Sequence, residues 1–306
     1  MSLSTPTDDR PGTIDAIPVR RPGRMVAVVA VVAVTVLLAY EIVTNKAFDW
    51  PFTFEAMNQN TVIQGFIFGT LFATVGSMIL GVGLGVALAV MRMSENPVLR
   101  VVAGGYVWFF RAIPRYALLV ILGGAGAFFP GGLGPIDINR LSTTIWMAIL
   151  GLGLSEAAYM AEIARSGIIS VDKGQREAAE AIGMNPSQTM RRIVLPQAMR
   201  VIVPPTGNEF IAMFKDTSLL VALPLSGEMF FQLRAIGAAT YKLIPTMMAA
   251  ALYYLVTATI LGFGQGYLER HFGRGYAPLQ AQQRRKTRAV ADTRGETPLM
   301  FPGSDH

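Results

Sequence analysis

Apolar residues in this chain gather into continuous runs at about 25–43, 62–91, 114–129, 141–169, 199–225 and 245–268. Charge, proline and glycine collect in the stretches between them. A helix needs about 20 mainly apolar residues to cross a bilayer core. Backbone polar groups in lipid must bond within the chain, which leaves helical bundles or closed barrels. Continuous runs, instead of ten-residue alternating segments, select helices. The pattern predicts an all-α, polytopic membrane bundle of about six transmembrane helices. One stretch is out of character: residues 174–196, GQREAAEAIGMNPSQTMRRIVLP, are polar and charged between two apolar runs.

Taken in order, residues 1–24 are polar and rich in Pro, Asp and Arg, and read as a disordered cytoplasmic tail. Residues 25–44 read as a first, uncleaved span. The competing reading, a signal peptide, fits poorly with a span-length run and no small-x-small site after it. Residues 45–60 form an aromatic-rich outer segment. In the second run the pairs Gly65/Gly69 and Gly81/Gly85 are spaced i, i+4, as helices that approach closely require. Residues 99–111 read as a segment along the inner interface, after which Pro114 begins or kinks a span reaching about residue 129. Residues 128–135, FFPGGLGP, are an outer loop. In the fifth run Pro204-Pro205 remove two backbone donors, so a helix is expected to start there or bend sharply. Residues 226–243 are an amphipathic outer connection, and 271–306 a basic cytoplasmic tail.

Composition strengthens this reading. The chain is 52% hydrophobic and 15% charged, against about 25% charged in soluble domains, and its mean hydropathy is +0.44. The net charge of +6 is not a nucleic-acid signal, because basic residues sit at span ends. Nineteen lysines and arginines fall on the side of the termini and the 174–196 loop. Only Lys46, Arg140, Arg234 and Lys242 fall on the other, which places both termini and that loop inside. There is no cysteine, so thiolate metal sites and cysteine catalysis are excluded. The two histidines, His271 and His306, lack ligand spacing, and no metal is expected.

The polar loop has its own punctuation. Residues 175–182 are strong helix formers, and Gly183 is placed to end that helix. Asn185-Pro186 reads as an N-cap with proline at the first position of a second helix, closed by Leu195-Pro196. Ala178 and Ala179 leave its tip low in bulk, and Glu177 and Glu180 make it acidic. An ordinary solvated loop would carry any one of these features; Glu177-Ala178-Ala179, Gly183, Ile193, Leu195 and Pro196 together form a register.

That register resembles the EAA loop of the membrane-spanning subunits of ABC importers. From about residue 61 to 270 the chain is similar to the polar amino-acid permeases, of the histidine, glutamine and arginine type. The likeness rests on the elements AAY-x-AE, GQ-x-EAA, LPQA-x-R, PP-x-GN and KDTSL. The family's Phe-Arg-Gly-Thr-Pro run is here Phe110-Arg111-Ala112-Ile113-Pro114, keeping Arg and Pro without Gly-Thr. The resemblance implies a permease domain over 60–270, a five-helix core with the first span as an N-terminal addition, in a bacterial inner membrane. It implies an ATPase-coupling site at Gly174, Gln175, Glu177, Ala178, Ala179, Gly183, Leu195 and Pro196. The implied partners are ABC ATPase subunits, a second permease subunit (the same chain or a sibling), an extracytoplasmic substrate-binding protein and membrane lipid. The chain has no G-x-x-x-x-G-K-[ST] phosphate loop, so ATP and magnesium belong on the ATPase partner, and no cofactor or enzymatic activity is expected here.

Candidate pathway residues are Arg111, Glu162, Asn208, Lys215 and Asp216. Ionisable residues inside spans are functional by default. Each also has a structural reading: Arg111 as an interfacial anchor, Glu162 as partner of Arg165 at i, i+3, and Lys215-Asp216 as a closure of the broken span. Adjacent residues on a helix cannot face one pocket as a pair. The alternative class, a secondary transporter or channel without an ATPase, would carry intramembrane ion-coupling acids or inverted repeats, which are not evident.

Overall fold

The computed structural model describes residues 22–132 and 134–273, so most of both expected tails lies outside the described residues. Among the described residues the chain is helical, without strands. It divides into two units, Met1–Asp49 and Trp50–His306. The first contains α1, Pro22–Thr44. Its valines and leucines are exposed, as a lipid-facing span requires. A single turn at Lys46–Phe48 follows, capped by the Asn45 side chain.

The second unit opens with α2, Trp50–Met57, and α3, Asn60–Met93, which contains a π turn at Gly65–Leu71. Next come α4, Pro97–Ala112, and α5, Arg115–Gly123, bent by 94° at Ile113-Pro114. Asn96 caps α4 by accepting from the Val98 N–H at 2.9 Å. After the 128–135 loop, α6 spans Ile145–Ile169. Helices α7, Lys173–Ala181, and α8, Pro186–Thr189, form the polar stretch. The chain then continues through α9, Leu195–Asp216, α10, Met229–Thr240, and α11, Leu243–Phe272. By length and apolarity, α1, α3, α6 and α11 can cross a membrane, with α4/α5 a fifth as one broken span. The remaining expected span, the fifth in chain order, is α9, whose 22 residues include Arg200, Glu209, Lys215 and Asp216.

Helices α3 and α6 form the centre. Without a hydrophobic drive between helices in lipid, close van der Waals approach holds them, and small residues permit it. A Cβ on Gly85 would stand 2.5 Å from Met160 Cβ, and one on Gly81 would stand 2.7 Å from the stem of Glu156. Gly65 and Gly69 serve a different contact, with the backbone of Gly227 to Met229 in the 226–243 connection.

Three expectations need correction. The second loop helix is not closed at Leu195-Pro196: α8 runs through a π turn at Met190–Val194 directly into α9. A widened turn gives room to a proline ring and skips a bond that Pro196 cannot donate. Nor does a helix start at Pro204-Pro205, because α9 passes through both. Neighbours engage the weakened ladder there: Thr206 Oγ1 donates to the Ile202 carbonyl at 2.8 Å, and Gln265 Nε2 on α11 donates to the Pro204 carbonyl at 2.6 Å. Finally, the span after Pro114 ends at Gly123, and the separate turn Ala125–Phe128 carries the chain to the loop.

Candidate functional site

The polar stretch is a compact two-helix knob. Asp172 caps α7, accepting from the Gly174 N–H at 2.7 Å. Gly183 takes φ +82°, the left-handed conformation that ends a helix cheaply only at glycine. The Met184 N–H returns to the Ala179 carbonyl at 3.0 Å and the Gly183 N–H to Glu180 at 2.9 Å. Asn185 and Gln188 then form a reciprocal capping box at the start of α8, with Pro186 in its first turn.

The knob is fixed to the bundle in two ways. Arg176 Nη2 donates to the Ile168 carbonyl at the end of α6, at 2.7 Å, a site that favours a cation. Ile168 and Val171 also pack with Val194 and Ala198, and with Met93 at the end of α3. Gly174, Gln175, Glu177, Ala178, Gly183, Leu195 and Pro196 are exposed. Ala179 is buried, against the expectation that it lies at a bare tip: its position on α7 turns it inward. Ile182 instead stands 78% exposed, and Glu177 and Glu180 are exposed on the same knob.

The second constellation is a stripe on α6. Glu156, Tyr159, Glu162 and Arg165 recur every third residue, on one helical face. Glu162 is held between Arg92, at the end of α3, and Arg165 Nε at 3.1 Å. Tyr159 lies beneath two guanidiniums, Arg115 at 4.8 Å and Arg111 at 5.5 Å from the ring centre. Arg115 Nη2 donates to Glu156 Oε2 at 2.8 Å, and Nη1 to Asp216 at the end of α9. Glu156 is fully buried. A buried ion pair stripped of one partner costs roughly 3–5 kcal/mol, so this cluster ties α5, α6 and α9 together.

Of the candidate pathway residues, Asp216 is in this cluster, Glu162 is in the adjoining triad, and Arg111 shares Tyr159 with the cluster. A cavity of about 460 Å³ lies between Arg92, Trp108, Arg111, Tyr159 and Glu162. Lys215 and Asn208 are exposed and stand apart from it. Asp216 pairs with Arg115 and not with its neighbour Lys215, as helical geometry requires. Sequence reasoning passed over Arg115, Glu156 and Tyr159. Glu156 carried the available signal, being a carboxylate in the middle of an apolar run. Among the described residues no group of acids and histidines could hold a metal.

The membrane bundle thus carries a polar two-helix knob at one end and a charged stripe within, and the comparisons give its family. Residues 81–274 match the family described as the inner membrane component of binding-protein-dependent transport systems. The arginine transport system permease protein ArgU of Corynebacterium glutamicum is 45% identical over 293 residues, covering 94% of this chain and 92% of ArgU. The probable glutamine ABC transporter permease protein GlnM of Bacillus subtilis is 32% identical, covering 72% of this chain and 96% of GlnM. A crystal structure of an amino acid ABC transporter with histidines superposes with a TM-score of 0.60 at 30% identity, covering 69% of this chain and 94% of that one. The chain belongs to this family, among the amino-acid permeases of ABC importers. It is a multi-pass inner-membrane transport component, and ATP hydrolysis in such systems resides on a separate chain.

Proposed function

We propose that this chain lines the passage of an importer for polar amino acids, cationic ones foremost, and receives ATP-derived work through the knob. The cargo class draws on the ArgU likeness and on the carboxylate-rich cluster at Asp216. One observation carries the mechanism. Helix α9 runs unbroken from Leu195 at the knob to Asp216 in the charged cluster, and 22 residues at 1.5 Å rise make a lever of about 33 Å. Arg176 ties the same knob to the foot of α6, which bears the stripe. A cleft on an ATPase that moves between ATP-bound and ADP-bound states displaces the knob. The two helices converging on Arg115 then shift together, re-pairing a bistable network.

In this reading Gly174, Gln175, Glu177, Ala178, Gly183, Leu195 and Pro196 shape or present the docking surface, and Ala179 supports it from within. Glu162, Arg111 and Asp216 face the passage, with Lys215 and Asn208 at its margins. The ATPase partner binds ATP and magnesium, a second permease subunit completes the passage, and a binding protein delivers cargo. The knob and both termini face the cytoplasm, and α1 and the C-terminal tail are additions to the five-helix core.

The test is copurification and uptake. Substituting Glu177→Arg and Ile182→Asp together is expected to abolish association with the ATPase partner and ATP-driven uptake of labelled arginine, while the chain still inserts at normal levels. Uptake that persists in vesicles lacking the ATPase would end this reading.

A further inference from the structure

Arg115 sits in a place built for a cation. Two carboxylates, on Glu156 and Asp216, grip it, and Arg115 is the one guanidinium ion-paired to either of them among the described residues. Glu209 lies two turns before Asp216 on the same face of α9 and within electrostatic reach of Glu156. Glu156 is fully buried, yet its Oε1 has no hydrogen-bond partner among the described residues. Among the described residues Lys215, the nearest cation in sequence, is exposed and in no ion pair, and Arg111 lies over the Tyr159 ring. The guanidinium is thus held by a carboxylate on either side and an aromatic face, with acceptor capacity left over. Those are the groups that recognise a free guanidinium ligand.

The backbone around Arg115 suits release. It is the first residue of α5, immediately after Pro114 at the 94° break, whereas Glu156 and Tyr159 are fixed on the straight, well-packed α6. Its side chain is 13% exposed and that of Asp216 is 32% exposed, so the cradle opens to the surface.

We propose that this cradle is the side-chain site for cationic cargo, and that Arg115 is its tethered resident when the passage is empty. A fully buried carboxylate such as Glu156 stays ionised only beside a counter-cation, and Arg115 supplies it between transport cycles. A substrate guanidinium or ammonium group takes its place between Glu156 and Asp216. Glu156 Oε1 and Glu209 offer the displaced or incoming charge a second position. A neutral side chain cannot displace Arg115, so the exchange selects for charge. This proposal rests on the passage reading given above.

The test uses the permease assembled with its ATPase partner, the binding protein being added only for uptake, and a pair of isosteric probes, arginine and uncharged citrulline. In Arg115→Ala, arginine is expected to restore thermal stability while citrulline does not. In Arg115→Lys, whose ammonium lacks the two-pronged fork, the purified complex without binding protein is expected to bind arginine at least about tenfold more tightly, the lower end of the scale of one charge-assisted hydrogen bond. In Glu209→Gln the preference for arginine over citrulline is expected to shrink. Should Arg115→Ala fail to assemble, the lysine and Glu209 variants decide. Equal rescue by both probes, or arginine binding unchanged in Arg115→Lys, overturns the resident-arginine proposal. Absence of ATP-driven arginine uptake by the wild-type importer would instead overturn the cationic-cargo reading beneath it.

Discussion

Single residues show how tightly this bundle is set. A Cβ at Gly85 would lie 2.5 Å from Met160 Cβ and 3.0 Å from backbone atoms of Ala157 and Ala161, whereas one at Gly83 meets nothing within 4 Å. Gly85→Ala should therefore cost about 1–3 kcal/mol through overpacking, and Gly83→Ala should be neutral or gain up to about 1 kcal/mol of helix propensity. Thermal unfolding in detergent separates the two; equal effects would refute the α3–α6 packing. Glu228, the N-cap of α10, is a second case. It is fully buried, with Oε1 accepting from Thr70 Oγ1 at 2.6 Å and Oε2 from the Phe231 N–H at 3.1 Å. Burial pushes its carboxyl up to about 7 from an ordinary 4.5, outweighing the opposing pull of those hydrogen bonds. A carboxyl raised on folding keeps its proton while the unfolded chain releases it. Stability is thus fullest below the unfolded value and declines as pH climbs from about 4.5 toward about 7. The unfolding temperature should fall across that window, and Glu228→Gln should flatten the decline. The sequence placed Gly85 correctly because i, i+4 glycines have a local signature. It was silent on Arg115, because its partners lie 41 and 101 residues away and no local spacing encodes that meeting.

At the scale of elements, the knob was legible almost entirely, since helix ends are written in residues a few positions apart. Asn185-Pro186 as cap and first turn, and Gly183 as the corner, are where local chemistry placed them. Ala179 was misjudged because which face of α7 turns inward depends on what α7 packs against. A helix start at Pro204-Pro205 is not seen for a related reason. Proline as a helix terminator assumes that nothing supports the helix around the missing donors, and at Pro204-Pro205 a side chain from α11 bonds the Pro204 carbonyl. Gly183→Val brings this scale to a test. A left-handed φ at a β-branched residue costs at least about 1–2 kcal/mol, enough to unwind the corner without touching the bundle. Uptake should drop steeply while the unfolding temperature of the membrane part barely moves. An undiminished uptake rate would mean that the corner does not shape the docking surface.

The whole molecule joins two sites through one lever, and its orientation can be checked because the chain has no cysteine of its own. A lone Glu180→Cys on the exposed face of α7 should react with a membrane-impermeant reagent only in inside-out vesicles; labelling in intact cells would invert the proposed topology. The lever itself makes the sharper demand. Pro204 and Pro205 lack the N–H groups that would meet the Arg200 and Val201 carbonyls, so α9 is compliant midway between knob and charged cluster. Gly207 lets α11 lean onto this point, since a Cβ there would lie 1.7 Å from Gln265 Oε1. If transport requires α9 to flex, restoring both donors with Pro204→Ala and Pro205→Ala should make the protein more stable, by up to about 3 kcal/mol per proline. It should also make it a poorer transporter, because a stiff helix holds one arrangement at Arg115. The importer would then hydrolyse ATP at close to the normal rate while moving several-fold less arginine per ATP, as a hinge far from the site would dictate. If instead α9 moves as a rigid rod, the double variant gains stability with no loss of arginine carried per ATP, and the flexing point must be sought at the π turn between Met190 and Val194.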